Sequence, residues 1–138
     1  MKTTAELINK LKRVDNIFSF LKENEKEFLN ESVHSVLNDL LVRYNFTVGE
    51  ISEKSHVGDY VYKVFSGTRN ASRNILISIG IAMSCTINEM QLLLRVAGFA
   101  LLDPRVKRDA IIIYAINYKK DVIETEELLL DANVPTLS

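Results

Sequence analysis

The apolar residues of this chain recur three and four positions apart almost without interruption, a spacing that fits one side of an α-helix and no β-strand. Leu7, Leu11, Val14, Ile17, Phe18 and Leu21 follow it, as do Val33, Val36, Leu37, Leu40 and Leu41. No stretch alternates apolar and polar residues as a half-buried strand would. Only 5 Gly and 2 Pro interrupt the 138 residues, and 47% hydrophobic against 25% charged residues is the balance of a folded globular chain. The expectation is an all-α protein long enough to bury one substantial core.

Polar residues punctuate the helices. Thr3 and Glu6 have capping-box spacing and open one or two amphipathic helices over 3–30. A helix over 32–44 is expected to end near Asn45. Thr47 and Glu50 repeat the capping-box spacing for a short helix through Lys54. Ser55-His56-Val57-Gly58 breaks it, Asp59 is expected as the N-cap of a helix over 60–65, and Gly67 closes that helix. Ser72 opens a long apolar helix to about Met83, with Ile75, Leu76, Ile79, Ile81 and Ala82 inward. Thr86, with Glu89 three positions on, caps the next, which ends at Gly98. Asp103-Pro104 is expected to start another, as an N-cap followed by proline at the first helical position. Thr125 is expected to cap a final short helix whose Glu126 and Glu127 suit its positive end. This divides the chain into an N-terminal helical arm, 1–31, a core, 32–98, and a two-helix extension, 99–138, that either completes the core or pairs two subunits.

A net charge of −1 argues against indiscriminate coating of nucleic acid. The distribution is more informative. The arm is balanced, while 60–74 carries Lys63, Arg69 and Arg73 with no acid. Arg105, Lys107, Arg108, Lys119 and Lys120 face only Asp109 in 104–120, and the last 18 residues are acidic without a base.

Residues 47–66 therefore hold two short helices joined by a tight break at Gly58, with a longer helix before and after. This is the plan of a helix-turn-helix, in which a second helix braced on the first is thin enough to enter the DNA major groove. Val57, Val61 and Val64 are the expected brace, and Phe65 is expected in the core. The run ISEKSHVGDYVYKVFSGTRNASRNILISIGIAMSCTINEM resembles the lambda-repressor-like, XRE-type helix-turn-helix domain of bacterial and phage regulators. Ile51, Glu53-Lys54-Ser55, Val57, Tyr60-Val61, Val64, Gly67, Arg69-Asn70, Ser72 and the helix from Leu76 to Met83 carry the likeness, which covers about 32–96.

The resemblance implies a five-helix core and a sequence-specific transcriptional regulator that reads double-stranded DNA with the helix over 59–65, as a cytoplasmic homodimer. Its DNA-binding residues would be Asp59, Tyr60, Tyr62, Lys63, Ser66, Thr68, Arg69, Asn70 and Arg73. The turn is one residue shorter than the family's, the base-reading positions fall on Gly58, Asp59 and Lys63, and Ala71 replaces the usual proline. Against these roles stand plainer ones: a solvated Lys63, or a tyrosine packed on a neighbouring helix. Arg105, Lys107 and Arg108 oppose the dipole of the expected helix start, which points to an anionic partner or to simple balancing by Asp103 and Asp109. The alternative function is a helix-turn-helix used as a protein-interaction adaptor or antitoxin-like partner.

Enzymatic chemistry is not expected. His34 and His56 stand alone, the single Cys85 lies at an apolar helix end, and no glycine-rich phosphate loop, nucleophile elbow or metal-spaced cluster occurs. No cofactor or metal is implied. The apolar runs 75–85 and 110–116 fall short of the roughly 18 to 20 residues a membrane span needs, and Glu6 and Lys10 interrupt any signal-peptide core.

Overall fold

The structure is a computed structural model that describes residues 2–24 and 32–138; residues 25–31 of the expected arm lie outside the described residues. The described residues are helical, with no strand among them. They form two units, Met1–Asn30 and Glu31–Ser138.

In the first unit, α1 (Thr4–Leu11) starts where Thr3 accepts a hydrogen bond from the Glu6 N–H, and α2 (Ile17–Glu23) starts where Asn16 accepts from Phe18. Asn24 closes α2 by donating from both its backbone N–H and its side chain to the Phe20 carbonyl. Its amide oxygen accepts from Lys2 Nζ. Phe20 is buried, whereas Ile8, Leu11, Ile17 and, most of all, Phe18 at 75% are exposed.

The second unit runs α3 (Val33–Arg43), α4 (Val48–Lys54), α5 (Tyr60–Phe65), α6 (Arg73–Ala82), α7 (Ile87–Val96), α8 (Lys107–Asn117) and α9 (Val122–Asp131). Of the three capping boxes read from the sequence, Thr3–Glu6 forms only the bond to Thr3, while Ser32 and Ser72 cap α3 and α6 and the boxes Thr47–Glu50 and Thr86–Glu89 form in full. Each satisfies otherwise orphaned N–H groups at a helix start, worth about 1 kcal/mol.

Three helix starts differ from expectation. Asp59 has helical dihedrals and makes no cap hydrogen bond, so α5 is held by packing. Asp103 instead folds a turn: its carbonyl accepts from the Val106 N–H and its carboxylate from the Arg105 N–H, which delays α8 to Lys107. α9 begins earlier than expected because Asp121 and Glu124 form a capping box. Thr125 lies inside that helix, fully buried, with its hydroxyl donating to the Asp121 carbonyl.

Two apolar cores share α6. Leu76, Ile79, Ala82 and Met83 face the first, with Val36, Leu37 and Leu40 of α3, Ile51 of α4, Val61, Val64 and Phe65 of α5 and Leu93 of α7. Ile77 and Ile81 face the second, with Met90 and Leu94 of α7, Ile112 and Ile116 of α8, Val122 and Leu129 of α9, and Leu137. Seven consecutive residues of α6, 76–82, are buried, so every side of the helix over that stretch is covered. Gly80 permits the crowding, because a Cβ there would run into Met90 Cε and Cys85 Sγ. The extension thus completes a second core together with α6 and α7, and 32–98 is not separated from 99–138 as a compact unit.

Candidate nucleic-acid interface

The short helices α4 and α5 meet across a break in which His56 (φ 59) and Gly58 (φ 87) take left-handed backbone. Such a conformation costs a side-chain-bearing residue about 1–2 kcal/mol, which Gly58 avoids. Ser55, buried, steadies the break by donating to the Ser52 carbonyl and accepting from the Val57 N–H. Ile51 of α4 and Val61, Val64 and Phe65 of α5 go into the first core, and Val57 packs against it. The back of α5 is thereby fixed, and Tyr62, Lys63 and Ser66 remain on its outer side.

The expected contact residues fall into two groups. Asp59, Tyr62, Lys63, Ser66, Thr68, Arg69 and Asn70 are exposed, and hydrogen bonds gather the stretch from Lys63 to Asn70 into one corner. The Lys63 carbonyl organises that corner, accepting from the Thr68 N–H at 3.0 Å, the Arg69 N–H at 3.1 Å and the Ser66 hydroxyl at 3.1 Å. Ser66 Oγ and Thr68 Oγ1 lie 2.7 Å apart. Tyr60, half-buried, ties the corner down through a 2.6 Å bond from its hydroxyl to the Asn70 carbonyl. Tyr62 extends back over α4, where its hydroxyl would lie 3.0 Å from a Cβ at Gly49.

Arg73 does not join this corner, contrary to expectation. Its guanidinium donates to both carboxylate oxygens of Asp109, at 3.1 and 3.4 Å, and to the carbonyls of Ala100 and Leu101. Asp109 is buried at 5% and also accepts from the Asp103 N–H. Sequence reasoning missed Asp109 as an anchor. The available signal was its place on the same helical stripe as Ile112 and Ile116.

The second basic cluster is likewise dispersed. Arg108 donates to the carbonyls of Pro135 and Thr136 and to Asn74 Oδ1, pinning the C-terminal segment. Burial, and then the neighbouring Arg73, hold its guanidinium below the usual arginine range. Arg105 pairs with Asp103 at 3.0 Å, which lowers that carboxyl, and Lys107 is exposed. These residues do not form one anion site.

Gly67 (φ 79) ends α5 beneath His34 of α3: a Cβ at Gly67 would sit 2.7 Å from His34 Nδ1. Asn38 Nδ2 bridges the His34 and Phe65 carbonyls at 2.6 and 2.8 Å. A cleft of about 340 Å³ opens beside them, lined by His34, Arg69, Val64 and Phe99 among others. On the other side of α3, Glu89 accepts from the Tyr44 hydroxyl at 2.5 Å and from Arg43 at 2.8 Å. Burial pushes the Glu89 carboxyl up, but hydrogen bonds from Thr86, Tyr44 and Arg43 outweigh it and leave it below the usual range. The same bond to Glu89, with desolvation, pushes the Tyr44 hydroxyl up to about 12. Burial pushes the Cys85 thiol up to about 12, which suits an unreactive core residue.

Among the described residues no three His, Cys, Asp or Glu side chains gather as a metal cage, and no helix is long and apolar enough to cross a membrane. No protein-family model, curated protein or solved structure matches this chain.

Proposed function

We propose that α3 to α7 act as a lambda-repressor-like, five-helix core and that the chain is a sequence-specific DNA-binding regulator, working as a homodimer in the cytoplasm. The observation that carries this reading is the division of α5: Val61, Val64 and Phe65 are locked inward while Tyr62, Lys63 and Ser66 stand outward, followed by exposed Arg69. A helix held by its back and presented by a left-handed turn is what entry into a major groove requires. Lys63 and Arg69 contact phosphate. Ser66, Thr68 and Asn70 add neutral hydrogen bonds, and Asp59 accepts from a cytosine amino group. One six-residue helix reads few base pairs, so two copies on half-sites about one helical turn apart are required for specificity.

With Arg73 and Arg108 committed inside the protein, the interface keeps two cations per protomer, Lys63 and Arg69. The slope of log K against log salt is about −0.9 per phosphate neutralised, so four contacts per dimer give about −3.6. Fluorescence anisotropy with the DNA upstream of the chain's own gene, across 50–200 mM salt, tests this. A slope near −3.6 that falls by about half in Lys63→Ala supports the reading; no binding even at 50 mM salt overturns it. The adaptor alternative rests on Asp59 at a reading position and on the half-exposed Tyr62, and the absence of low-salt binding would favour it.

A further inference from the structure

The helical hairpin α8–α9 leaves an open apolar groove of about 440 Å³ between Ala110, Ile111 and Tyr114 on one side and Leu128 and Ala132 on the other, with Asp131 at its end. The groove pairs the start of α8 with the end of α9, as antiparallel helices joined by a short loop must. Lys107, Ile111, Tyr114 and Tyr118 lie at helical spacing along the α8 edge. Tyr114 and Tyr118 are 49% and 62% exposed, with ring centroids 4.7 Å apart.

Charge along the two edges is of opposite sign. Lys107 begins α8, where a cation opposes the helix dipole, and Asp131 ends α9, where an anion opposes it. Glu127 lies one turn before Asp131 on the exposed side of α9. Among the described residues, neither Lys107, Glu127 nor Asp131 has an ion-pair partner within the chain.

We propose that this groove is the face on which a second copy of the chain docks, with a two-fold axis placing each Lys107 against the other copy's Glu127 and Asp131 and bringing the Tyr114–Tyr118 pairs together. A two-fold contact must be self-complementary, and an apolar centre with one basic and one acidic edge meets that condition. Exposed tyrosines are suited to the centre of such a contact because they bury a large apolar ring while keeping a hydroxyl for hydrogen bonding. The inference rests on the DNA-binding reading only for its need of two half-sites.

Sedimentation equilibrium of the full chain tests it. The wild type is expected to be dimeric at micromolar concentration, and Tyr114→Glu is expected to weaken self-association about tenfold or more. Lys107→Glu provides a second variant at an exposed position, expected to weaken association and to reduce its salt dependence. Val42→Glu, at an exposed apolar position of α3, is expected to change nothing. A wild type that remains monomeric at about 100 μM overturns the proposal, whether the groove is then empty or taken by another protein's helix. So does a dimer unaffected by both groove variants. A wild-type dimer that is lost in Tyr114→Glu but shows no salt-dependent DNA binding supports the interface and refutes the DNA reading alone.

Discussion

Replacing Asp109 with alanine is expected to cost more stability than any surface change in this protein. Asp109 is 5% exposed, and its carboxylate receives two N–H groups from Arg73 and one from the Asp103 backbone. Asp109→Ala strands all three donors, and breaking a buried ion pair from one side costs about 3–5 kcal/mol. The Arg73 side chain retains 23% exposure and can draw partly on water, so the lower end, about 3 kcal/mol, applies. A unit the size of 31–138 has an unfolding entropy of about 0.2 kcal/mol/K, which makes the expected fall in melting temperature roughly 13 °C. Calorimetry or a circular-dichroism melt reads this directly. Arg73→Ala should fall by a similar amount while leaving the salt slope of DNA binding unchanged below its melting temperature. A drop under about 4 °C for Asp109→Ala, or a shallower salt slope for Arg73→Ala, would refute the assignment of Arg73 to the fold.

Four further outcomes are expected. Glu89 has its folded pKa below the unfolded value, so its contribution is present above that value and is lost as pH falls through the folded one; the melting-temperature gap between wild type and Glu89→Gln should narrow as pH falls below the usual glutamate range. Tyr44 is raised to about 12, so its contribution holds below about pH 10 and is lost as pH climbs towards 12, which an alkaline denaturation series of Tyr44→Phe against wild type would reveal. Cys85 should resist iodoacetamide at about pH 8 in the native protein and react fully once unfolded; rapid native alkylation would contradict its burial. Gly67→Ala should lose about 1–2 kcal/mol from left-handed backbone alone and more from the His34 ring, and adding His34→Ala should recover only the second part.

What could be read from sequence was local. Thr47 with Glu50, and Thr86 with Glu89, close hydrogen bonds within four residues, so both helix starts were legible without knowing the fold. The brace of Val57, Val61 and Val64 followed from spacing in the same way. The errors arose where a side chain had a choice of partners. Asp103 folds its own turn rather than a helix cap, and Thr125 is overtaken by a better box at Asp121. Arg73 was assigned to phosphate because its true acceptor lies 36 positions away, a distance that no short-range pattern encodes. The exposed corner of Lys63, Ser66, Thr68 and Arg69 is legible because it is one continuous stretch of chain, whereas the groove between α8 and α9 requires the hairpin to be closed first.

Because α6 supplies side chains to both cores, the chain has no internal seam at which the α4–α5 half could be cut free from the α8–α9 half. Removing the last forty or so residues would leave Ile77, Ile81, Met90 and Leu94 facing water, an apolar patch that favours aggregation or unfolding. The two halves should therefore melt in one transition, and a partner that clamps the C-terminal hairpin would slow amide exchange in α5 without touching it. In such a molecule stability itself passes from one end to the other, with no hinge required.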